Sequence, residues 1–293
     1  MVSNTSNPVN TPERRMGRAV HYNISYIVQG AEHGTDGVIV LLHDIPSGAF
    51  VWESIMPRLA GLGRAVYAFD MLGYGQSEHP WPADTSIWGH ADVLSFLFKR
   101  LNLTNIILVG HGLGGGVAQV LATRLYREQT AALVLIDTTC YLHAFAENWP
   151  LTDMEKRHDF DAPKHTEVED MMHDLRQTLP NGSQNSNSFN DVINHYVDQW
   201  NSELGKEVLF QHIRLMIPNY SNSVSSDLRV IEKPTLIIWG GKDQQIPPTY
   251  AQRLHREIHN SQLVIVPDAG HLILYDAPAA VGDALIDFVN GLR

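Results

Sequence analysis

Six short apolar runs punctuate the chain at wide intervals, at residues 38–42, 65–69, 106–109, 133–136, 235–239 and 263–266. They are rich in β-branched side chains and apolar at nearly every position. A strand covered on both faces needs that pattern, whereas a half-exposed strand alternates. Between the runs, apolar residues recur at helical spacing. Ser86 is placed to cap a helix that carries Val93, Leu94, Leu97 and Leu101 on one stripe. Further helices are predicted over 52–62, from the third run to Tyr126, over 248–258 and over 279–292. Strand and helix in alternation predict an α/β protein with a doubly wound, mostly parallel sheet.

Residues 140–228 break this rhythm. They are rich in His, Asp, Glu, Asn and Ser, with helical patterns near 167–179, 191–200 and 203–216 and no strand-like run. Residues 181–188 form a polar, turn-prone linker. The segment reads as a helical cap over the sheet. The expected organisation is a flexible leader at 1–17, a core at 18–139 and 229–293, and the cap at 140–228.

Composition narrows the partners. The 293 residues, 44% hydrophobic, suffice for one large α/β domain with an insertion. A net charge of −11 argues against nucleic acid and anionic membranes, which need basic surfaces. Cys140 is the only cysteine, which rules out an intrachain disulfide and leads us to expect a cytoplasmic protein. The polar N-terminus lacks the apolar core of a signal peptide, and no stretch approaches the ~20 apolar residues of a membrane span. The expected partner is a small-molecule substrate, with the chain a monomer or homodimer.

In an open parallel sheet, ligands bind at the carboxyl ends of the strands. Here those ends carry His43-Asp44-Ile45-Pro46, the run Asp70 to Ser77, Gly110-His111-Gly112-Leu113-Gly114, Asp137, Gly240-Gly241-Lys242-Asp243 and Gly270-His271. The D-x-x-G-x-G-x-S run, the G-x-x-D and the G-H, in this order, resemble the α/β-hydrolase fold family, in its lidded branch with epoxide hydrolases and haloalkane dehalogenases. The resemblance covers about residues 20–293. It implies a helical cap inserted after strand 6, a catalytic histidine at His271 and an orienting carboxylate at Asp243. It also implies oxyanion donors at the backbone N–H groups of Leu113 and Ile45, and no cofactor or metal.

Two positions depart from the family pattern. The centre of the nucleophile elbow, where the family carries Ser, Cys or Asp, is Gly112. The facing loop has Asp44 where the family has Gly. Asp44 has two readings: a turn residue bonding nearby backbone N–H groups, or a relocated carboxylate pointing into the space Gly112 vacates, as nucleophile, base or acid. Asp137 reads as a turn or cap residue, or a fallback acid. His111 reads as a packing residue at its strand end. The cap histidines His158, His165, His173, His195 and His212 match no zinc spacing, and Cys140 has no partnering base. Candidate substrate contacts are His43, Trp149, Tyr196 and Trp200.

The favoured reading is a cofactor-independent hydrolase for a small apolar or aromatic substrate. Epoxide, lactone, ester or C–C hydrolysis fits it, as does related lyase or cyclase chemistry. The His271–Asp243 dyad acts, with Asp44 assisting. Dehalogenation is disfavoured because Leu113 stands where dehalogenases hold halide with Trp. Two alternatives remain open: an ordinary hydrolase inactivated at Gly112, and a non-catalytic binder of small molecules.

Overall fold

A computed structural model describes residues 11–30, 37–139, 141, 193–215 and 224–292. Its centre is one eight-stranded sheet in the order β1-β2-β4-β3-β5-β6-β7-β8. The strands are β1 (Glu13–Ala19), β2 (Tyr22–Gln29), β3 (Val38–Leu42), β4 (Ala65–Phe69), β5 (Ile106–His111), β6 (Thr130–Ile136), β7 (Thr235–Gly240) and β8 (Ser261–Val266). β2 runs antiparallel to β1 and β4, and β3 to β8 are mutually parallel.

Both faces are covered over β3 to β7, which explains their apolar runs, whereas edge strand β8 is half-exposed. Alternate residues of β3 enter opposite layers. Val40 and Leu42 pack with Leu94, Leu97 and Val117, whereas Ile39 and Leu41 pack with Trp52, Leu59 and Leu285. The helices are α1 (Met56–Ala60), α2 (Ile87–Arg100), α3 (Leu113–Val120), α4 (Ile193–Val197), α5 (Glu203–Leu215), α6 (Thr249–Glu257), α7 (Ile273–Asp276) and α8 (Pro278–Gly291). The Ser86 side chain accepts from Gly89 N–H and caps α2 as its sequence predicts, a contact worth about 1 kcal/mol.

Several boundaries differ from expectation. Residues 13–17, taken as leader, belong to β1, which forms a hairpin with β2 through Val20 at φ 56°. β1 is an edge strand with exposed and half-exposed arginines, so it carries no apolar run to betray it. The stretch 52–62 holds only the short α1, preceded by a 3-10 turn at Ala49–Trp52. α3 passes into a π-helical turn at Leu121–Leu125 before Tyr126. In the cap, α4 and α5 match the expected helices over 191–200 and 203–216. The expected helix at 167–179, the linker at 181–188, Cys140 and Trp149 lie outside the described residues.

Candidate active site

Parallel register brings the strand ends to one level. Leu42 pairs with both Phe69 and Gly110, and His111 pairs with Ile136. The loops that follow β3, β5, β6, β7 and β8 therefore meet, and with them Asp44, Gly112, Asp137, Asp243 and His271.

The turn from β5 into α3 is made at Gly112, with φ 52° and ψ −117°. An L side chain in such a backbone costs on the order of 1–3 kcal/mol. Glycine avoids that strain and leaves room. A Cβ built on Gly112 would stand 2.0 Å from Asp44 Cγ and 2.2 Å from each of its carboxylate oxygens. The Asp44 carboxylate thus fills the place of an elbow side chain.

Both Asp44 oxygens are engaged. Oδ1 accepts from the Leu113 N–H at 2.6 Å, and Oδ2 lies 3.0 Å from His271 Nε2. On its other side, His271 Nδ1 lies 2.8 Å from Asp243 Oδ2. Asp243 Oδ1 in turn accepts from Gln245 N–H and Ile246 N–H, which fixes the carboxylate in the turn after β7. The result is a buried chain of carboxylate, imidazole and carboxylate.

Charge follows from this geometry. Burial opposes the imidazolium form of His271, but the charges and hydrogen bonds of Asp243 and Asp44 outweigh it and hold His271 well above the usual histidine range. Burial likewise pushes against ionised Asp44, yet the His271 bond and charge, with the Leu113 N–H, keep it below the usual carboxylate range. The resting site is an ion pair of Asp44 and His271, oriented by Asp243.

Asp137 sits beside them, fully buried, at φ 40°. Oδ1 accepts from the Gly240 N–H, while Oδ2 has no partner among the described residues. Burial and the nearby Asp243 charge raise its pKa well above the ordinary value. That shift favours its protonated form, and Asp243 is the carboxylate that orients His271. His111 donates no ring contact to Asp44. Its Nε2 lies 2.9 Å from the His271 carbonyl, so that nitrogen carries the proton and Nδ1 the lone pair. Burial and the His271 charge lower its pKa to about 4.

A narrow cleft opens beside Asp44. Its walls are Ile45, Ser47, Val51, His111, Tyr196, Leu272, Leu274 and Tyr275. Tyr196 reaches it from α4. Gln199, just after α4, ties this segment to the loops after β3 and β4: its Nε2 donates to Pro46 O at 2.8 Å and its Oε1 accepts from Gly75 N–H at 2.7 Å. No motif marks Gln199, Leu272, Leu274 or Tyr275 in the sequence, and sequence reasoning missed them.

Three expectations need correction. The Leu113 N–H, expected to face a substrate oxyanion, is committed to Asp44 Oδ1. His43 does not face the cleft: its Nδ1 donates to Asp44 O and its Nε2 accepts from Met71 N–H, which braces the loop. Trp200 is cap core, with Nε1–H donating to Tyr196 O and its ring against Tyr74 and His212. The motif at residues 70–77 is also a brace, since Asp70 Oδ1 accepts from Ala49 N–H and Ser77 Oγ donates to Asp70 O.

The sheet order, the sharp glycine turn before α3 and the histidine–carboxylate pair on later loops define an α/β hydrolase. This chain belongs to the α/β-hydrolase fold family, whose model matches residues 37–278. It is 26% identical over 274 residues to the AB hydrolase superfamily protein YisY of Bacillus subtilis, covering 92% of this chain and 96% of that one. Haloalkane dehalogenase 2 of Mycobacterium tuberculosis is 26% identical over 268 residues, covering 87% and 89%. Among solved structures, the epoxide hydrolase CorEH superposes with a TM-score of 0.79 at 20% identity, covering 97% of this chain and all of that one. The chain is similar in sequence to that dehalogenase and shares its fold with that epoxide hydrolase, and no described helix is long and apolar enough to cross a membrane.

Proposed function

We propose that this protein hydrolyses small apolar epoxides through a covalent ester on Asp44, with His271 and Asp243 as its acid–base dyad. The observation that carries this reading is the division of labour on Asp44: Oδ1 is bound by the Leu113 N–H, and Oδ2 faces His271. Asp44 Oδ2 attacks an epoxide carbon, the ring C–O bond breaks, and the ring oxygen leaves on the far side, toward the cap. Tyr196 lines the cleft there, and burial with the Asp44 charge keeps its hydroxyl protonated and able to donate.

Esterification removes the Asp44 charge that helps hold His271 protonated. Tyr196 has by then given its proton to the opened ring oxygen; His271 gives up its own proton, which restores the Tyr196 hydroxyl, and acts as base. Water attacks Asp44 Cγ, His271 Nε2 takes the proton, and Oδ1 becomes the oxyanion beside the Leu113 N–H. Collapse releases the diol and restores the carboxylate and imidazolium. The Leu113 N–H thus serves the enzyme's own ester rather than a substrate carbonyl.

That commitment also weighs between substrates. An ester or lactone needs oxyanion donors, and one of the two expected ones, the Leu113 N–H, is already taken. A departing halide needs N–H donors, and the cleft walls near Asp44 offer the apolar side chains of Leu272 and Leu274 instead. An epoxide needs one hydroxyl donor, which Tyr196 supplies. A panel of aryl and alkyl epoxides, lactones, nitrophenyl esters and haloalkanes tests the reading. Diol formation is expected, and turnover of the esters with no epoxide consumed would overturn it.

A further inference from the structure

We infer that Asp44, His111 and His271 form a binding site for a divalent transition-metal ion of the Zn2+ class, whose occupancy shuts off the Asp44 nucleophile. A donor atom from each residue lies within 4.8 Å of the other two, and all three side chains are buried. Asp44 Oδ2 and His271 Nε2 are already 3.0 Å apart. Two ligands at ~2.0–2.1 Å on one tetrahedral ion are separated by roughly 3.3 Å, so small shifts suffice.

The supporting hydrogen bonds match a metal site ligand by ligand. A coordinating imidazole is normally oriented by its other N–H on a carboxylate or backbone carbonyl. His271 has Asp243 on Nδ1, and His111 has the His271 carbonyl on Nε2. The ion takes His271 Nε2 by displacing its proton to solvent, and His111 Nδ1 is the ring nitrogen not engaged by the His271 carbonyl. Asp44 is oriented by the Leu113 N–H on Oδ1, which leaves Oδ2 as a single ligand atom. A side chain at Gly112 would displace this carboxylate, so the glycine is a condition of the site.

Donor type selects the ion. Two imidazoles and one carboxylate suit Zn2+ or Co2+ over Mg2+ or Ca2+, which prefer oxygen ligands. Among the described residues, a second cluster of Asp137, Asp243 and His271 also comes within 4.8 Å. It is the weaker one, because Asp243 already accepts from two backbone N–H groups and His271 Nδ1. An ion on the first cluster takes Asp44 Oδ2 and His271 Nε2, the two atoms covalent hydrolysis needs. Bound metal therefore inhibits.

The test uses the full chain, stripped with a chelator and titrated with Co2+. The expected result is one ion per chain, with the visible absorption of low-symmetry four-coordinate cobalt, displaced by Zn2+. H111Q and D44N should each weaken binding at least tenfold and lose the absorption, with circular dichroism reporting that each still folds. H90Q, which alters a buried histidine outside the cluster, should bind as the parent does. No cobalt absorption in the parent, or absorption that persists in both H111Q and D44N, would overturn the inference. The readout is spectroscopic and metal-free turnover is measured separately, so failure here leaves the Asp44 nucleophile standing, and failure of that nucleophile leaves this site standing.

Discussion

The carboxylate of Asp44 stands where a side chain on Gly112 would be, with Cγ 2.0 Å from the Cβ that glycine lacks. The two residues are coupled sterically: either one can bring a functional group to this point, but not both. G112D should therefore expel Asp44 and lose activity. The double exchange D44G/G112D should recover at least tenfold over G112D, because the carboxylate returns to the same place from the other loop. Comparing kcat/KM of the two variants checks this, and equal inactivity would argue against the coupling.

The three acids near His271 are expected to differ sharply. D44N should lower kcat by about three orders of magnitude or more, as loss of a nucleophile does. D243N should also be severely impaired, since it removes the charge and hydrogen bond on His271 Nδ1. D137N should be the mildest of the three, because burial and Asp243 raise the Asp137 pKa and Asn imitates the neutral acid that this shift favours. Steady-state kinetics on the preferred epoxide distinguishes them.

Gln199 ties the cap to the two loops beneath it. Q199A removes the bond to Pro46 O and leaves the Gly75 N–H without its partner. A cost of about 1–3 kcal/mol is expected, together with a fall in kcat/KM as Tyr196 loses its placement. Urea midpoints and kinetics on one preparation measure both. Unchanged values in each would show that the clamp is dispensable.

Acid should destabilise the fold through its buried neutral histidines. His90 is lowered to about 3, by burial and then by His43, and His111 to about 4. Below pH ~6.5 the unfolded chain takes up protons that these folded residues refuse. Stability then falls as pH drops toward 4, by about 1.4 kcal/mol per pH unit for each such histidine. His271 works in the opposite direction and in another window: its contribution is full below pH ~6.5 and is lost as pH rises through its elevated folded value. Urea midpoints at pH 7 and pH 5 should differ, with a smaller difference in H90Q. A flat profile in the parent would contradict this.

What the sequence disclosed follows the physics of each feature. The central strands were legible because both faces are buried and nearly every position is apolar. Asp44 and His271 are 227 apart in sequence, yet both follow strands of one parallel sheet, so topology alone brings them close. β1 was hidden because an exposed edge strand needs no apolar pattern. His43 and Trp200 looked like substrate contacts by residue type and place, but their polar atoms are spent on backbone partners. The clamp at Gln199 depends on how the cap docks, which no local pattern encodes. The fate of the Leu113 N–H depends on a rotamer of Asp44.

The central claim is that Asp44 forms and loses an ester during each turnover. Heavy-oxygen water tests it directly. If water attacks Asp44 Cγ, repeated turnover places heavy oxygen in the Asp44 carboxylate, and a single turnover gives a diol carrying unlabelled oxygen from the enzyme. Mass spectrometry of the peptide that contains Asp44 should show the label only when substrate is present. Labelled diol after a single turnover, with an unlabelled Asp44 peptide, would mean that water attacks the substrate itself and would contradict the account.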